Sequence, residues 1–304
     1  MKNNNDNIQF SNLIDMEDPY SVLNEVKEIV SLMSPGLDFR PVEQVFEDVL
    51  KLFRGEFAGY RKCNTEYHDL KHTTDTFLAF ARLIHGAFIN RHYFKERNIA
   101  LGLISALMHD TGYMQTMNDD TGTGAKYTLQ HISRSIAFMD KYFIDNEYFS
   151  GEDFERCGQM LNCTGFSAHV GSIDFNSEEV EILGKILGTA DLLGQMADRN
   201  YPEKLLFLYS EFHEGQVLGF ADEFDLLKKT INFYDIIKKR FVTELGSVNK
   251  FSVYHFAERW NINRDLYSEA IEKNIGYLKS VIDNSEKDYR THLRRGGMVQ
   301  KNSA

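Results

Sequence analysis

Apolar residues recur every three or four positions along most of the chain, which places them on one face of an α-helix. Within residues 20–33, for example, Val22, Val26 and Val30 fall on one stripe. A second helix is predicted to open at Pro41, because proline is favoured in a first helical turn. Similar patterns predict helices at about residues 66–88, 96–110, 127–143, 151–162, 177–199, 203–214, 222–244 and 263–284. Strand-like alternation is scarce, so the sequence predicts an all-α fold.

Most of the chain is expected to form one helical domain. It has 304 residues, 42% of them hydrophobic, which is enough to bury a sizeable core. Residues 1–12 are polar and rich in asparagine, and we expect them to be disordered. The domain is predicted to span residues 13–287 and to be followed by a flexible tail at residues 288–304.

Composition excludes several classes of protein. The net charge is −11, and the only basic run is short, at residues 292–295, so nucleic acid is not an expected partner. Three cysteines without a C-x-x-C pair argue against a disulfide framework. The polar start lacks the apolar core of a signal peptide, and no apolar stretch reaches the roughly 20 residues that span a bilayer. We therefore expect a cytoplasmic protein with no membrane contact.

Candidate chemistry begins at residues 67–76, which read YHDLKHTTDT. On a helix, His68 and His72 share a face, and Asp75 shares it too. Such a face suits a metal site in which one histidine binds the ion, the other transfers protons and the carboxylate orients an imidazole. A solvated polar face is the alternative.

Two further elements combine acidic residues with apolar surroundings. His109 and Asp110 end the apolar run at residues 99–108, where an unpaired carboxylate would be costly. Asp191 interrupts the apolar segment at residues 186–198, and Gln195 follows it on the same face. A salt-bridged helix end and a hydrogen-bonded buried aspartate are the respective alternatives to metal binding.

The order of these elements resembles the HD superfamily of metal-dependent phosphohydrolases, and most closely its cyclic nucleotide phosphodiesterase-like branch. The branch motifs read roughly Y-H-N-x-x-H-A-x-D-V, H-D-x-x-H and A-D-L. The matching residues here are Tyr67-His68-Asp69 with His72 and Asp75, then His109-Asp110, then Ala190-Asp191-Leu192. The resemblance covers about residues 60–200. It implies an HD-domain helical bundle with additional N-terminal and C-terminal helices, the latter at about residues 201–287.

The resemblance also implies roles for these residues. His72, His109, Asp110 and Asp191 would bind a first metal ion, and Asp110 would bridge to a second. His68 would protonate the leaving oxygen. Asp75 would orient a ligand without touching the ion.

The sequence departs from the branch pattern at two motif positions. Tyr113 stands where the phosphodiesterases have a histidine, and Asp69 stands where they have an asparagine. The purine-reading glutamine of those enzymes has no assigned counterpart. His131, followed four residues later by the small Ser135, resembles an element that completes the two-metal site in many HD hydrolases. His131 as a polar residue near a helix start is the alternative.

Four residues are candidates for contacting a substrate. Lys126 and Arg134 flank His131 and are predicted to meet phosphate oxygens, Gln195 follows Asp191, and His169 lies in a loop expected near the site mouth. Simple solvation is the alternative for each basic residue.

The expected reaction is hydrolysis of a phosphoester in a small phosphorylated substrate such as a nucleotide. One or two divalent ions (Mg, Mn, Fe or Zn) would lower the pKa of a bound water and so supply hydroxide near neutral pH. Asp110 would assist as the bridging carboxylate, and His68 would act as general acid. Two alternatives remain open: a catalytically degenerate ligand-sensing or partner-binding module with a structural metal, and metal-dependent oxidation on a di-iron HD scaffold. The sequence does not determine the oligomeric state.

Overall fold

The structure, a computed structural model, describes residues 8–165, 169–284 and 287–301. Its helices are α1 (Pro19–Met33), α2 (Arg40–Arg54), α3 (Leu70–Ile89), α4 (Glu96–Met108), α5 (His131–Ile144), α6 (Gly151–Leu161), α7 (Glu178–Ala197), α8 (Tyr201–Glu214), α9 (Glu223–Thr243), α10 (Phe251–Trp260), α11 (Leu266–Asn284), α12 (Tyr289–His292) and α13 (Met298–Lys301). The predicted all-α fold is confirmed, because these described residues contain no β-strand and only one isolated bridge, Tyr60 to Thr116. None of these helices has the length and apolar character needed to cross a bilayer.

Helices α3 and α7 form the centre of the bundle, where α3 also packs against α1, α4 and α10. Their backbones approach closely at Gly194, where a Cβ atom would lie 3.0 Å from the backbone nitrogen of Thr76. Ser177 caps α7 by accepting a hydrogen bond from the backbone N–H of Val180. The close approach at Gly194 holds α3, which carries His72, beside α7, which carries Asp191.

Several helix boundaries differ from the sequence prediction. Helix α3 begins at Leu70 instead of residue 66, because Asp69 is extended and accepts a hydrogen bond from the backbone N–H of His72 as an N-cap. His68 therefore precedes the helix and does not share its face with His72. Helix α5 begins at His131 instead of residue 127. Helix α10 was not predicted.

The described parts of both chain termini contact the bundle. Residues 1–7 of the predicted disordered N-terminus and residues 302–304 of the predicted tail lie outside the described residues. Phe10 is buried and its ring centroid lies 4.6 Å from that of Tyr267. In the predicted tail, Arg290 pairs with Glu223 at 2.6 Å and Leu293 is buried. Disorder of the first segment and flexibility of the tail stay predictions.

Candidate metal centre

Four segments bring their polar side chains to one end of the central helices. His72 lies in the first turn of α3, and His109 caps the C-terminal end of α4 with Asp110 directly after it. Asp191 lies inside α7, and His131 is the first residue of α5. The structure thus brings together the five residues to which the sequence assigns metal binding, and that role stays a prediction.

The tightest part of the cluster consists of His72, His109 and Asp110, which are buried and spaced so that they could hold a metal ion. The Nε2 atoms of the two histidines are 3.2 Å apart, and Asp110 Oδ2 lies 3.3 Å from His72 Nε2 and 3.2 Å from His109 Nε2. Asp191 Oδ1 adjoins them at 3.1 Å from His72 Nε2 and 3.7 Å from His109 Nε2. Donors that bind one ion at about 2.0–2.2 Å lie about 3.0–3.7 Å apart, so this spacing fits a shared ion.

The hydrogen bonds and charges of the cluster also fit a cation. His109 Nδ1 lies 2.9 Å from the carbonyl oxygen of Ala106, which can only accept, so Nδ1 carries the proton and Nε2 offers a lone pair. Asp110 Oδ2 is buried and accepts no hydrogen bond among the described residues. Burial lowers the pKa of His72, but the carboxylates of Asp110 and Asp191, 3.3 Å and 3.1 Å from Nε2, outweigh it and raise that pKa to about 10. The same carboxylates would attract a divalent ion.

A second position is outlined by His131 and the other oxygen of Asp110. His131 Nδ1 donates to the carbonyl oxygen of Thr128 at 2.6 Å, which leaves the lone pair of Nε2 facing Asp110 Oδ1 at 4.0 Å. Burial lowers the pKa of His131 and so favours the neutral ring, the form that binds metal. Two facing acceptors without a proton between them suit a cation. Asp110 would then serve one ion with each oxygen.

His68 lies beside the cluster and is held by a carboxylate that the sequence analysis did not identify. Its Nδ1 lies 2.6 Å from Glu211 Oε2, and the other oxygen of Glu211 accepts from the backbone N–H of Tyr67 at 2.7 Å. This contact fixes the orientation of the His68 ring. The His68 ring centroid is 6.0 Å from that of His72, which leaves Nε2 near the proposed ion position without coordinating it.

Tyr113 contacts the imidazole rings of both His68 and His131. Its ring stacks on His68 with a centroid distance of 4.3 Å and on His131 with a centroid distance of 4.9 Å. The phenol oxygen lies 3.4 Å from His68 Nε2. Burial raises the pKa of Tyr113 well above its ordinary value, so the phenol stays neutral. The residue that departs from the phosphodiesterase pattern therefore positions both histidines.

Gln195 supports Asp191 rather than facing an open pocket. Its amide nitrogen lies 3.2 Å from Asp191 Oδ1, and its amide oxygen accepts from the hydroxyl of Tyr67 at 2.7 Å. These hydrogen bonds, from Tyr67 to Gln195 and from Gln195 to Asp191, orient the Asp191 carboxylate toward the two histidines. Gln195 therefore positions Asp191, and the substrate contact predicted for it stays a prediction.

Among models of known protein families, one describing Npun_R2479-like proteins matches residues 116–270, about half of the chain. The chain belongs to the Npun_R2479-like family. No curated protein matches it. The matched segment contains His131 and Asp191 but begins after Asp110. The family name states no activity, so membership alone assigns none to this chain.

In this Npun_R2479-like protein, Asp75 does not orient a metal ligand as predicted. Its Oδ2 lies 2.6 Å from Lys71 Nζ, whereas His72 Nδ1 has no hydrogen-bond partner among the described residues. The i,i+4 spacing on α3 lets Lys71 reach Asp75, and the opposite charges decide the contact. Burial raises the pKa of Asp75 to about 6 against the lowering effect of Lys71.

The other predicted substrate residues also have different contacts. Lys126 Nζ binds Asp119 and the carbonyl oxygen of Thr121 within the polar loop. Arg134 donates to the carbonyl oxygens of Gly112 at 2.7 Å and Met114 at 3.0 Å, so it supports the turn that follows Asp110. His169 has a side chain that is 85% exposed, and its nearest described charged partner is Glu244 at 3.8 Å. None of these contacts places the three residues at the cluster.

Two supporting residues explain how the cluster is assembled. A Cβ atom at Gly112 would lie 1.9 Å from the carbonyl oxygen of His131, so only glycine lets the start of α5 approach this turn. The hydroxyl of Ser135 bridges the two segments by donating to the carbonyl oxygen of His109 at 2.6 Å and accepting from the backbone N–H of Gly112 at 2.8 Å. Ser135 could be recognised from the sequence, because it is a small residue four positions after His131. Glu211 could not be recognised in this way, because a single acidic residue in a helix is common.

Proposed function

We propose that this chain is a metal-dependent phosphohydrolase of the HD superfamily that hydrolyses a phosphoester in a small, nucleotide-like molecule. The observation that carries the proposal is the buried cluster of two imidazole Nε2 atoms and two carboxylates with a histidine–glutamate pair beside it. Imidazole and carboxylate ligands suit Mg, Mn, Fe or Zn and do not choose among them. The order of the motifs along the chain supports the same assignment.

Each residue has a defined task in this proposal. His72, His109, Asp110 and Asp191 would hold one ion, and Asp110 with His131 would hold a second. Bound ions would supply an activated water and would polarise the phosphoryl oxygens. His68 donates a proton from Nε2 to the leaving oxygen, which is the part of the reaction that water performs slowly.

Glu211 and Tyr113 act on His68 rather than on the substrate. Glu211 accepts a hydrogen bond from Nδ1 and so holds the ring with Nε2 on the opposite side. Tyr113 stacks on one face of the ring and restricts its rotation. Together they would keep Nε2 directed at the leaving oxygen while the proton transfers.

Metal analysis combined with turnover of bis(4-nitrophenyl) phosphate tests the proposal. We expect the purified chain to carry at least one divalent ion and to hydrolyse this diester, with both properties lost in Asp191→Ala. His169→Ala, which changes an exposed histidine, is the matched control and should behave as wild type. Full metal occupancy in Asp191→Ala would contradict the ligand assignment.

One observation favours a second candidate, a non-catalytic module in which the metal is structural. The Tyr113 ring stacks on both His68 and His131, so it covers part of each ring that substrate or solvent would otherwise reach. A module of this kind would hold the metal but would not hydrolyse any activated phosphodiester. Metal occupancy without turnover, in protein reconstituted with each of the four ions, would favour this candidate over the enzyme.

A further inference from the structure

Helix α8 supplies two charged side chains to the short segment that precedes α3. Glu211 accepts from the backbone N–H of Tyr67 at 2.7 Å and binds His68 Nδ1 at 2.6 Å. Lys204, seven residues earlier in α8, donates to Asp69 Oδ2 at 3.2 Å. Residues seven apart lie on the same face of a helix. One face of α8 therefore holds three consecutive residues of the segment, with an acid and a base.

The ammonium group of Lys204 also joins the ends of the two central helices. Its side chain is 7% exposed, and Nζ lies 3.2 Å from Asp69 Oδ2 and 3.2 Å from Asp198 Oδ2. Asp69 is the N-cap of α3, where its Oδ1 accepts from the backbone N–H of His72 at 2.8 Å. Asp198 is the C-cap of α7, the helix that carries Asp191. Lys204 thus connects the start of one ligand-bearing helix to the end of another.

The charges around Lys204 keep it protonated inside the protein. Burial alone would lower the pKa of Lys204, but the charges of Asp69 and Asp198 outweigh it and raise that pKa. Asp75 acts in the same direction, and Lys71 opposes it. Removing one member of a buried ion pair leaves an uncompensated charge. The ammonium and its two carboxylates therefore hold one another in place.

The contact with Asp69 determines where α3 begins. Because Asp69 caps the helix, His72 lies in its first turn and His68 precedes it. Without this cap, the backbone N–H of His72 would lose its acceptor and the first turn would be less stable. Lys204 binds the second oxygen of the same carboxylate, so it fixes the orientation that the cap requires. It also gives a partner to the charge by which Asp69 departs from the phosphodiesterase-like motif.

We propose that Lys204 is a positioning residue of the metal centre, which sets the distance between His72 and Asp191 by holding the start of α3 against the end of α7. The inference rests on the proposed function, because it takes these two residues as ligands of the first ion. His72 Nε2 and Asp191 Oδ1 lie 3.1 Å apart, and a displacement of either helix by about 1 Å would spoil a shared ligand geometry. Lys204 itself touches neither the ion nor the substrate.

Titration of Co²⁺ into the chelator-treated full chain tests the proposal, because the visible absorption of bound Co²⁺ reports its ligand geometry as well as its occupancy. Lys204→Met keeps the length of the side chain but removes its charge. It should weaken binding of the first ion by about tenfold and change the absorption spectrum. Lys204→Arg keeps the charge and should restore most of the affinity. Asp69→Asn keeps an oxygen for the cap but loses the charge that Lys204 binds, so it should weaken binding by a smaller factor.

A matched control separates positioning from a general loss of stability. Arg259→Met removes another ion pair, from Arg259 to the buried Glu25 at 3.1 Å, which joins α10 to α1. Neither of these helices carries a proposed ligand. We expect Arg259→Met to lower the unfolding temperature of the metal-free protein and to leave the affinity for Co²⁺ and the spectrum as in wild type.

Three results would overturn the proposal. The first is wild-type affinity and spectrum in folded Lys204→Met, or in Asp69→Asn if Lys204→Met does not fold. The second is an equal loss of affinity in Lys204→Arg and Lys204→Met. The third is the same loss in Arg259→Met. If the wild type itself bound no Co²⁺, the ligand assignment of the proposed function would be wrong, and this inference would be wrong with it.

Discussion

The fold contains two buried pairs of histidines with nearly the same geometry. His72 and His109 have ring centroids 5.1 Å apart at an interplanar angle of 77°, and His85 and His255 have centroids 5.1 Å apart at 83°. The nitrogen atoms that face each other are 3.2 Å apart in both pairs. One residue of each pair lies on α3. Ring geometry alone therefore does not distinguish a metal centre from a packed core.

The charges around the two pairs are opposite. Despite burial, Asp110 and Asp191 raise the pKa of His72 to about 10. Burial, followed by the charge of Arg259, lowers the pKa of His85 to about 4. The first pair attracts positive charge and the second excludes it. The carboxylates, more than the imidazoles, define the candidate metal centre.

The comparison predicts that all tightly bound metal depends on the carboxylates. Asp110→Asn keeps the shape of the side chain but removes its charge and should lower metal content and turnover by more than about tenfold. Elemental analysis of the purified protein provides the measurement. His85→Asn, in the pair without carboxylates, is the control and should keep its full metal content. Metal retained in Asp110→Asn but lost in His85→Asn would reverse the assignment of the two pairs.

An effect on turnover alone is expected at His68, which lies beside the first pair without belonging to it. His68→Gln should keep the metal and should slow hydrolysis of an alkyl phosphodiester by about 10²–10⁴-fold. Hydrolysis of a nitrophenyl ester should suffer less, because its leaving group needs less protonation. His213→Gln, which changes an exposed histidine, is the control. Equal losses on both esters would argue against proton donation by His68.

The sequence predicted the parts of this site that have a local signal. Helical periodicity predicted α3, α4 and α7, and the unusual acid within an apolar helix identified Asp191. The His-Asp pair at the end of an apolar run identified His109 and Asp110. Each of these signals depends on residues close together in the chain, so they could be found without a structure.

The missing parts depend on contacts between distant segments. Glu211 lies 143 residues from its partner His68, and no local pattern distinguishes it from other helical acids. Asp75 was misassigned because a metal-ligand spacing and an i,i+4 ion pair with Lys71 are equally compatible with one helical face. No local pattern pairs His85 with His255, since their contact spans 170 residues.

The proposed second ion gives the next prediction. His131→Ala should weaken binding of the second ion by about 10–100-fold while the first ion binds normally. Asp110 Oδ1 would remain as a ligand for the second ion, so occupancy of the second position should recover at high metal concentration. Titration of divalent ions into chelator-treated protein measures both events, with His169→Ala as the control. One binding event in wild type that is unchanged in His131→Ala would show that His131 does not bind metal.

The pair of His85 and His255 gives the last prediction, a dependence of stability on pH. Burial lowers the pKa of His85 to about 4 and lowers that of His255 well below its ordinary value, so both rings are neutral in the folded chain. The unfolded chain titrates these groups near pH 6.5, so it binds more protons than the folded chain between about pH 6.5 and pH 4. The contribution of these two histidines to the free energy of unfolding should therefore be complete above pH 6.5. It should decrease as the pH falls through this window.

For His85 the decrease should be on the order of 2 kcal/mol between pH 7 and pH 4. Urea unfolding at several pH values measures it, and chelator in every sample removes the contribution of bound metal. His255→Asn replaces one buried ring by a side chain that does not titrate, and it should flatten the pH dependence even if it lowers stability at every pH. His213→Gln changes an exposed histidine and should leave the slope as in wild type. An unchanged slope in His255→Asn would show that the second pair is not held neutral by its surroundings, and the contrast with the metal centre would then be lost.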